Sequence, residues 1–261
     1  MSYKIAVAGK GGTGKTTIAG LIIGYLIRKE KAPILAVDAD ANANLNDVLG
    51  VAVNQTIGGV REKIRTDVPS GMTKDVWFEI KAQETLVETE KYDLLVMGRP
   101  EGPGCYCVAN ALARHFIEVL AKNYQYIVID NEAGMEHFSR LTTQDSDLLF
   151  IVSDHSVRGL QTARRILSLI EELKLSISRT AVVISKIHDG LDPTLKAEAD
   201  RLHLKIAGYI PYDETIVRAD QEGNPTYNLT LSSPAVRSME AILDGLLANE
   251  ERHDGKNNKR H

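Results

Sequence analysis

Seven short apolar runs recur along this chain of 261 residues, and they constrain its fold more than any other feature. The runs are rich in valine, isoleucine and leucine, and they occupy residues 5–8, 34–37, 94–97, 127–129, 148–152, 181–184 and 206–210. Because the apolarity is continuous rather than alternating, it predicts strands that are covered on both faces. Stretches with helical spacing lie between them, among them 108–120 and 157–173, the latter with Ser156 placed to cap it. Strands that alternate with helices predict an α/β fold with a doubly wound, mainly parallel, seven-stranded sheet.

Length and composition predict one folded domain over residues 1–251. Residues 50–92 contain several glycines, Pro69 and the only tryptophan, Trp77, and we expect an insertion or a set of short, mobile helices there. Residues 252–261 contain no apolar side chain and predict a solvated tail.

The balance of charged residues indicates which macromolecular partners to expect. Lysine and arginine number 31, aspartate and glutamate number 35, and the formal net charge is -4, which argues against a protein that coats nucleic acid. No apolar run is long enough to span a bilayer, and no cleavable signal is evident. We therefore expect a cytoplasmic protein with no membrane or nucleic-acid partner.

A glycine-rich loop follows the first apolar run and opens an apolar helix. Its residues match the pattern G-x-x-x-x-G-K-[ST], and they are Gly9, Lys10, Gly11, Gly12, Thr13, Gly14, Lys15, Thr16 and Thr17. Such glycines let successive backbone N–H groups curve around phosphate oxygens, and the following helix N-terminus favours negative charge. Lys15 is predicted to bridge the β and γ phosphates, and the Thr16 hydroxyl is predicted to hold magnesium. A dinucleotide fingerprint would need glycine at position 17, where Thr17 stands.

A second lysine in the loop, Lys10, distinguishes this sequence from the general phosphate-loop pattern. The segment K-G-G-x-G-K-T-T resembles the deviant phosphate loop, or deviant Walker A motif, of the nitrogenase-reductase, MinD and ArsA class of P-loop ATPases. The resemblance implies ATP as the nucleotide, ADP as the product, and a homodimer in which Lys10 reaches the partner's nucleotide. A second cation near the γ phosphate would neutralise charge in the transition state and link hydrolysis to association.

Acidic residues follow two of the predicted strands. Asp38 and Asp40 come after residues 34–37, and Asp130 comes after residues 127–129. In the family that the loop resembles, Asp40 would orient or deprotonate the attacking water, Asp38 would assist around magnesium, and Asp130 would bind magnesium through water. Residues 133–134 would then begin the second switch segment.

The base-binding residues rest on the same resemblance. Pro211 and Tyr212 lie in the segment I-P-Y-D, which is similar to the family's loop beside the base. The wider family often has an asparagine near the end of the run 181–184, but this chain has Ser185 and Lys186 there. ATP rather than GTP is therefore implied by the overall resemblance and not by that position.

The two cysteines of the chain, Cys105 and Cys107, are separated by one residue and preceded by Gly-Pro-Gly. Residues two apart on an ideal helix point about 200° away from each other, so both sulfurs can bind one ion only from an extended segment or a turn. A helix beginning near Val108 would favour the thiolate forms through its N-terminus. Two thiolates do not complete a four-coordinate site, but a twofold axis that joins two C-x-C pairs would supply four ligands for zinc or nickel.

The two-lysine loop, the C-x-C pair, the segment D-N-E-A-G-M-E-H at 130–137 and I-P-Y at 210–212 together resemble ATPases of the CooC and AcsF type. The similarity extends to about residue 248. It implies a metallochaperone ATPase, a homodimer that depends on nucleotide and metal, and a client nickel enzyme, either carbon monoxide dehydrogenase or acetyl-CoA synthase.

Two other functions remain open. A MinD-like or ParA-like positioning ATPase would act on membrane or DNA, but the predicted last helix, 235–251, carries four acidic residues and only Arg237 as a cation. An electron-transfer ATPase with an intersubunit iron–sulfur cluster would take its cysteines from two loops per subunit, and this chain has both on one.

Overall fold

The computed structural model describes residues 2–64, 66–98, 106–134, 145–188, 190 and 192–257, without the side chains of 106–113 and 249–257. Eight strands form the centre of the fold: β1 (Tyr3–Gly9), β2 (Ile34–Ala39), β3 (Val87–Glu88), β4 (Asp93–Val96), β5 (Tyr126–Asn131), β6 (Asp145–Ser153), β7 (Ser176–Ile187) and β8 (Ile206–Pro211). They make one sheet in the order β3-β4-β2-β5-β1-β6-β7-β8. Sequential strands are therefore often separated in the sheet, as crossover connections require.

The strand pairing confirms a doubly wound, mainly parallel sheet. Each predicted apolar run overlaps one of β1, β2 or β4–β8, and its last residue lies within three residues of that strand's carboxyl end. The predicted strand number is wrong by one, because β3 was missed. This two-residue strand pairs antiparallel with β4 through Val87 opposite Leu94 and Glu88 opposite Asp93. Two residues are too few to show a periodicity, and the pairing depends on the neighbouring strand.

Nine α-helices lie in the described part of the chain, seven of them between strands and two after β8. They are α1 (Lys15–Arg28), α2 (Leu45–Val48), α3 (Ile57–Lys63), α4 (Lys74–Gln83), α5 (Tyr106–Ala121), α6 (Val157–Glu172), α7 (Pro193–Arg201), α8 (Glu214–Glu222) and α9 (Pro234–Asn257). Ser156 caps α6 as predicted, since its hydroxyl oxygen accepts a hydrogen bond of 3.0 Å from the Gly159 N–H. Residues 50–92 contain α3, α4 and β3, and α9 continues to Asn257 within the predicted tail.

Two apolar clusters lie on opposite faces of the sheet. Alternate residues of β1 point into different clusters, with Ile5 in one and Ala6 in the other, and both are fully buried. Helices α1 and α9 cover the first face, and α3 to α7 cover the second. Because the sheet is covered on both faces, ligands reach it at its edges, and in such sheets they bind at the carboxyl ends of the strands.

The carboxyl-terminal helix α9 packs on the sheet through an apolar face. Val236, Met239 and Leu243 on this helix are fully buried in the same cluster as α1. Within the described residues, no helix is both long and apolar enough to cross a membrane.

Candidate functional site

The loop between β1 and α1 lies at the carboxyl edge of the sheet, where β5 and β6 flank β1. Its path requires glycine at two positions. A Cβ at Gly9 would lie 2.2 Å from the Val152 carbonyl oxygen, and Gly14 has a left-handed φ of 84°. Gly14 is also the N-cap of α1, and it brings no side-chain oxygen to the first turn. The first N–H groups of α1 therefore face the loop as an anion-binding helix terminus.

The two lysines of the loop occupy different environments. Lys15 is 7% exposed, and its Nζ lies 3.4 Å from the Lys10 carbonyl oxygen. Burial lowers the pKa of Lys15, although the nearby carboxylates of Asp130 and Asp40 act to raise it. The Lys10 side chain is 49% exposed, and its ammonium lies 3.8 Å from an oxygen of Asp154. Lys15 is thus an internal cation of the site, whereas Lys10 lies where a second molecule can contact it.

Asp130 and Thr16 meet beside Lys15. The Thr16 hydroxyl donates a hydrogen bond to the Asp130 carboxylate, which is 1% exposed. Burial raises the pKa of Asp130 to about 7, and the nearby Asp38 carboxylate adds to this, whereas the Thr16 hydrogen bond opposes it. Within the described part of the chain, Asp130 Oδ1 has no hydrogen-bond partner. A buried carboxylate oxygen without a donor, next to a threonine hydroxyl, fits the water shell of a magnesium ion.

Asp38 lies directly opposite Asp130 in the β2–β5 pairing and is fully buried. Its two oxygens accept hydrogen bonds from the backbone N–H groups of Asp40 at 3.0 Å and Leu45 at 2.8 Å. Burial raises the pKa of Asp38 to about 6, against the effect of these hydrogen bonds. The carboxylate therefore holds the 40–45 loop, and its predicted assistance around magnesium remains a prediction.

Asp40 is placed by this loop within electrostatic reach of both Lys15 and Asp130. It is half-buried, and its Oδ1 accepts a hydrogen bond of 2.8 Å from the Asn42 N–H. The structure thus brings Asp38, Asp40 and Asp130 together around Lys15, as the sequence analysis expects.

The predicted second switch begins against the phosphate loop. The Gly134 N–H donates a hydrogen bond of 3.3 Å to the Gly9 carbonyl oxygen, and the Ala133 Cβ lies 3.7 Å from the position that a Cβ of Gly11 would take. A change in the loop can therefore reach residues 133–134 directly.

An apolar slot opens beside the loop, on the side of β7 and β8. Its walls include the predicted base-binding residues, together with side chains of α1 and α8: Thr17, Ile18, Leu21, Pro211, Tyr212 and Ile216. The Tyr212 ring stacks on His188 with centroids 4.5 Å apart and an interplanar angle of 22°. A flat apolar slot next to a phosphate-binding loop can accept an aromatic base.

Comparison with known proteins identifies the family of this site. The family model described as "CobQ/CobB/MinD/ParA nucleotide binding domain" matches residues 4–226. The chain belongs to this family. It is a P-loop ATPase of the MinD and ParA class, and the match includes the loop, the three aspartates and the apolar slot.

Relatives of this family match the chain along nearly its full length. An uncharacterised ATP-binding protein of Methanocaldococcus jannaschii is 43% identical, over 93% of this chain and 98% of that protein. The carbon monoxide dehydrogenase accessory protein CooC of Rhodospirillum rubrum is 34% identical, over 94% and 96%. Among solved structures, a ParA family ATPase from Chlorobium tepidum TLS has a TM-score of 0.72 at 21% identity, with 93% and 98% covered.

The structure describes only part of the thiol pair. Cys105 lies outside the described residues, and for Cys107 the structure describes the backbone alone. Helix α5 begins at Tyr106, so the prediction of a start near Val108 is wrong, and Cys107 lies in the first turn rather than before it. Within the described ranges, no group of three or more histidine, cysteine, aspartate or glutamate side chains is arranged to hold a metal ion. Binding of nickel or zinc by Cys105 and Cys107 remains a prediction.

Three polar residues that contact the loop escaped the sequence analysis as site residues: Asp154, Ser185 and Lys186. Asp154 directly follows β6, and Asp130 is the last residue but one of β5, so a polar residue at a strand's carboxyl end was the available signal. Ser185 and Lys186 lie near the end of β7, next to β6 in the sheet. Strand order decides which of these strand ends adjoin the loop.

Proposed function

We propose that this chain is an ATP-dependent nickel-insertion accessory protein, a metallochaperone ATPase that serves carbon monoxide dehydrogenase or acetyl-CoA synthase. The observation that carries the proposal is the 34% identity to CooC over 94% of the chain, in a sequence that also holds the C-x-C pair. The family match alone supports an ATPase of the MinD and ParA class and does not distinguish a client.

The topology supports coupling between nucleotide and thiols. Strand β4 runs parallel to β2, and the chain leaves its carboxyl end at Val96 before α5 begins at Tyr106. The start of α5 therefore belongs to the same sheet edge as the phosphate loop. Three strand spacings separate β4 from β1 in the sheet, a distance of about 14 Å. A rearrangement of the loop and its neighbouring switch segments would therefore act close to the end of β4, from which the chain continues to the thiols.

The loop and the aspartates around it have separate roles in the proposed hydrolysis. Lys15 and the N–H groups at the start of α1 would bind the β and γ phosphates. Thr16 and Asp130 would hold magnesium, which supplies neutralisation of phosphate charge when bound. Asp40 would orient the attacking water from its position next to Lys15.

In the proposed mechanism, Lys10 links nucleotide binding to dimer formation. Its side chain is half-exposed, and its ammonium lies 3.8 Å from the partly exposed carboxylate of Asp154. Exchange of such a screened contact costs little, so Lys10 can leave it for the nucleotide of a partner subunit. Closure of the dimer would bring two C-x-C pairs together, and the four thiolates would hold nickel, the cargo, in one nucleotide state and release it in the other.

Nickel titration of the wild type and of Cys105→Ser/Cys107→Ser, with and without MgATP, tests the thiol site. We expect one nickel ion per two wild-type chains and loss of that binding in the double variant. His203→Asn is the matched control, because it removes an exposed imidazole, a side chain that can bind nickel, from the turn after α7, and asparagine tolerates its positive φ of 53°. Unchanged nickel affinity in the double variant would rule the thiol site out.

A membrane-positioning function, the alternative, needs an available amphipathic surface helix. The apolar face of α9 is occupied by packing against α1, and its sequence carries Glu240 and Asp244, which pair with Lys29, directly after α1, at 3.1 Å each. Co-sedimentation with anionic liposomes in the presence of MgATP tests this alternative. Strong ATP-dependent sedimentation would favour it over the nickel function.

A further inference from the structure

We propose that Ser185 and Lys186 are positioning residues that preorganise the phosphate loop for di- and triphosphates. The inference rests on nucleotide binding by this loop, which is also a premise of the proposed function.

Both side chains donate hydrogen bonds to carbonyl oxygens of the loop. Ser185 Oγ donates to the Thr13 carbonyl at 2.7 Å and lies 3.2 Å from the Ser153 carbonyl oxygen. Lys186 Nζ donates to the Gly12 carbonyl at 2.9 Å. Ser185 is 3% exposed and Thr13 is fully buried, so the first of these contacts is protected from water. Two successive peptide units of the loop are therefore fixed from the end of β7.

Fixing these carbonyls also fixes the N–H groups of the same peptide units. The Gly12 carbonyl shares a planar peptide with the Thr13 N–H, and the Thr13 carbonyl shares one with the Gly14 N–H. In a trans peptide the N–H points away from the carbonyl, so each carbonyl held from β7 turns its N–H to the opposite side of the peptide. The Thr13 N–H donates there to the Lys10 carbonyl oxygen at 3.4 Å, a long hydrogen bond that a phosphate oxygen would replace. The inside of this loop is where the phosphate oxygens would lie. The two donors thus reduce the freedom that the loop would otherwise lose on binding phosphate.

Lys186 has an unusual backbone conformation at the point where its side chain contacts the loop. Its φ of 59° lies in the left-handed region, which is uncommon for a residue with a side chain. The pairing of β7 with β8 shifts register between Ile184 and Ile187, so Lys186 lies within an irregularity of the strand. Strain of this kind persists where surrounding contacts hold it, often at functional sites.

Lys186 also borders the apolar slot. Its Cε lies 3.7 Å from the position that a Cβ of Gly14 would take, and Tyr212 lines the same slot. A wall of the base slot would affect the binding of any adenine compound. A positioning residue of the phosphate loop would instead affect only compounds with phosphates at the loop, and this difference makes the proposal testable.

The test is calorimetric titration of MgADP and of adenosine into the wild type, Lys186→Met, Lys186→Arg and Ser185→Ala. Methionine keeps the unbranched stem and the backbone strain but removes the donor. We expect Lys186→Met and Ser185→Ala each to weaken MgADP binding by about tenfold, which corresponds to about 1.4 kcal/mol. Adenosine affinity should stay unchanged, and Lys186→Arg should restore MgADP affinity. The thermal midpoint of the ligand-free protein should stay unchanged in Lys186→Met and should fall by about 2–4 °C in Ser185→Ala, because the buried Thr13 carbonyl loses its donor. Lys196→Met, an exposed lysine on α7, is the control for loss of one positive charge.

The outcomes separate the competing explanations. An equal loss of adenosine and MgADP affinity in Lys186→Met would overturn the proposal, because Lys186 would then be a wall of the base slot. Wild-type MgADP affinity in Ser185→Ala would also overturn it, since only the charge of Lys186 would matter. These affinities do not involve the thiols, so absence of nickel binding would refute the proposed function and leave the positioning role standing.

Discussion

Replacing Asp213 with alanine would remove a single carboxylate that holds the first turns of two helices. Asp213 caps α8, since one of its oxygens accepts a hydrogen bond of 2.8 Å from the Thr215 N–H. The other oxygen accepts from the Ser233 hydroxyl at 2.5 Å and from the Ala235 N–H at 3.1 Å, at the start of α9. Ser233 in turn accepts from the Val236 N–H at 3.2 Å. The carboxylate therefore ties the slot-forming segment before α8 to the helix that covers the sheet.

The size of the effect follows from these contacts. Loss of an N-cap costs about 1 kcal/mol. Each buried donor left without a partner costs about 1 kcal/mol or more, and Ser233 is fully buried while Asp213 is 6% exposed. We expect Asp213→Ala to lower the free energy of unfolding by about 3 kcal/mol, a large part of the roughly 5–15 kcal/mol typical of a folded domain.

Urea denaturation measures this free energy, and its pH dependence checks the cause. Burial alone would raise the pKa of Asp213, but the hydrogen bonds from Ser233, Ala235 and Thr215 outweigh it and hold the pKa below its usual value. A lowered pKa in the folded state means that the contribution is complete above the unfolded value of about 3.9 and is lost as the pH falls through the folded value. The difference between wild type and variant should therefore be constant at neutral pH and shrink below about pH 4.

Asp192→Ala is the matched control for the cap alone. Asp192 caps α7 by accepting a hydrogen bond of 2.7 Å from the Thr194 N–H, but it is exposed and ties no second helix. We expect a clearly smaller loss of stability from this variant. An equal loss in both variants, or a difference that grows on acidification, would refute the reasoning about Asp213.

Three further predictions concern the loop and the edge of the sheet. Lys15→Met should lose MgATP affinity at least tenfold in a calorimetric titration, yet it should not lower the unfolding temperature, because the buried ammonium is costly in the free protein. Asp154→Asn removes the charge that holds Lys10, and sedimentation should show ATP-dependent dimerisation strengthened by up to about fivefold. Gly208→Ala would place a Cβ 2.4 Å from Ile242 and should cost about 1–3 kcal/mol of unfolding free energy, and most of that cost should vanish in an Ile242→Ala background in urea denaturation. Unreduced MgATP binding, unchanged dimerisation or additive costs, respectively, would contradict them.

The strands could be predicted because their signal is local and redundant. Most of the long parallel strands are buried on both faces and so carry a continuous apolar run, as 148–152 does in β6. Strand β8, at the edge of the sheet, instead alternates between half-buried and exposed residues over Ile206–Tyr209. Strand β3 carries no such run, and it exists because β4 offers an edge for pairing. The start of α5 was placed two residues too late, because helix ends fray and the apolar spacing begins only at Val108.

The candidate site was predictable where one segment supplies the chemistry. The loop from Gly9 to Thr17 carries its glycines, lysines and threonines within nine residues, so the pattern can be recognised from the sequence without knowledge of the fold. The hydrogen bond from Lys186 to Gly12 joins residues 174 positions apart and depends on a left-handed backbone. No local pattern of residues predicts such a contact.

The sequence by itself determined the α/β class, the phosphate loop and the positions of the long strands, because burial and glycine geometry act over a few residues at a time. Tertiary structure alone decided that β5 and β6 flank β1, and hence that Asp130, Asp154 and the end of β7 surround the loop. Strand order depends on how distant segments pack against one another, and parallel sheets close such distant contacts only when the whole chain folds. The residues that give the loop its chemistry are thus neighbours in sequence, whereas the residues that support the loop come together only in the assembled sheet.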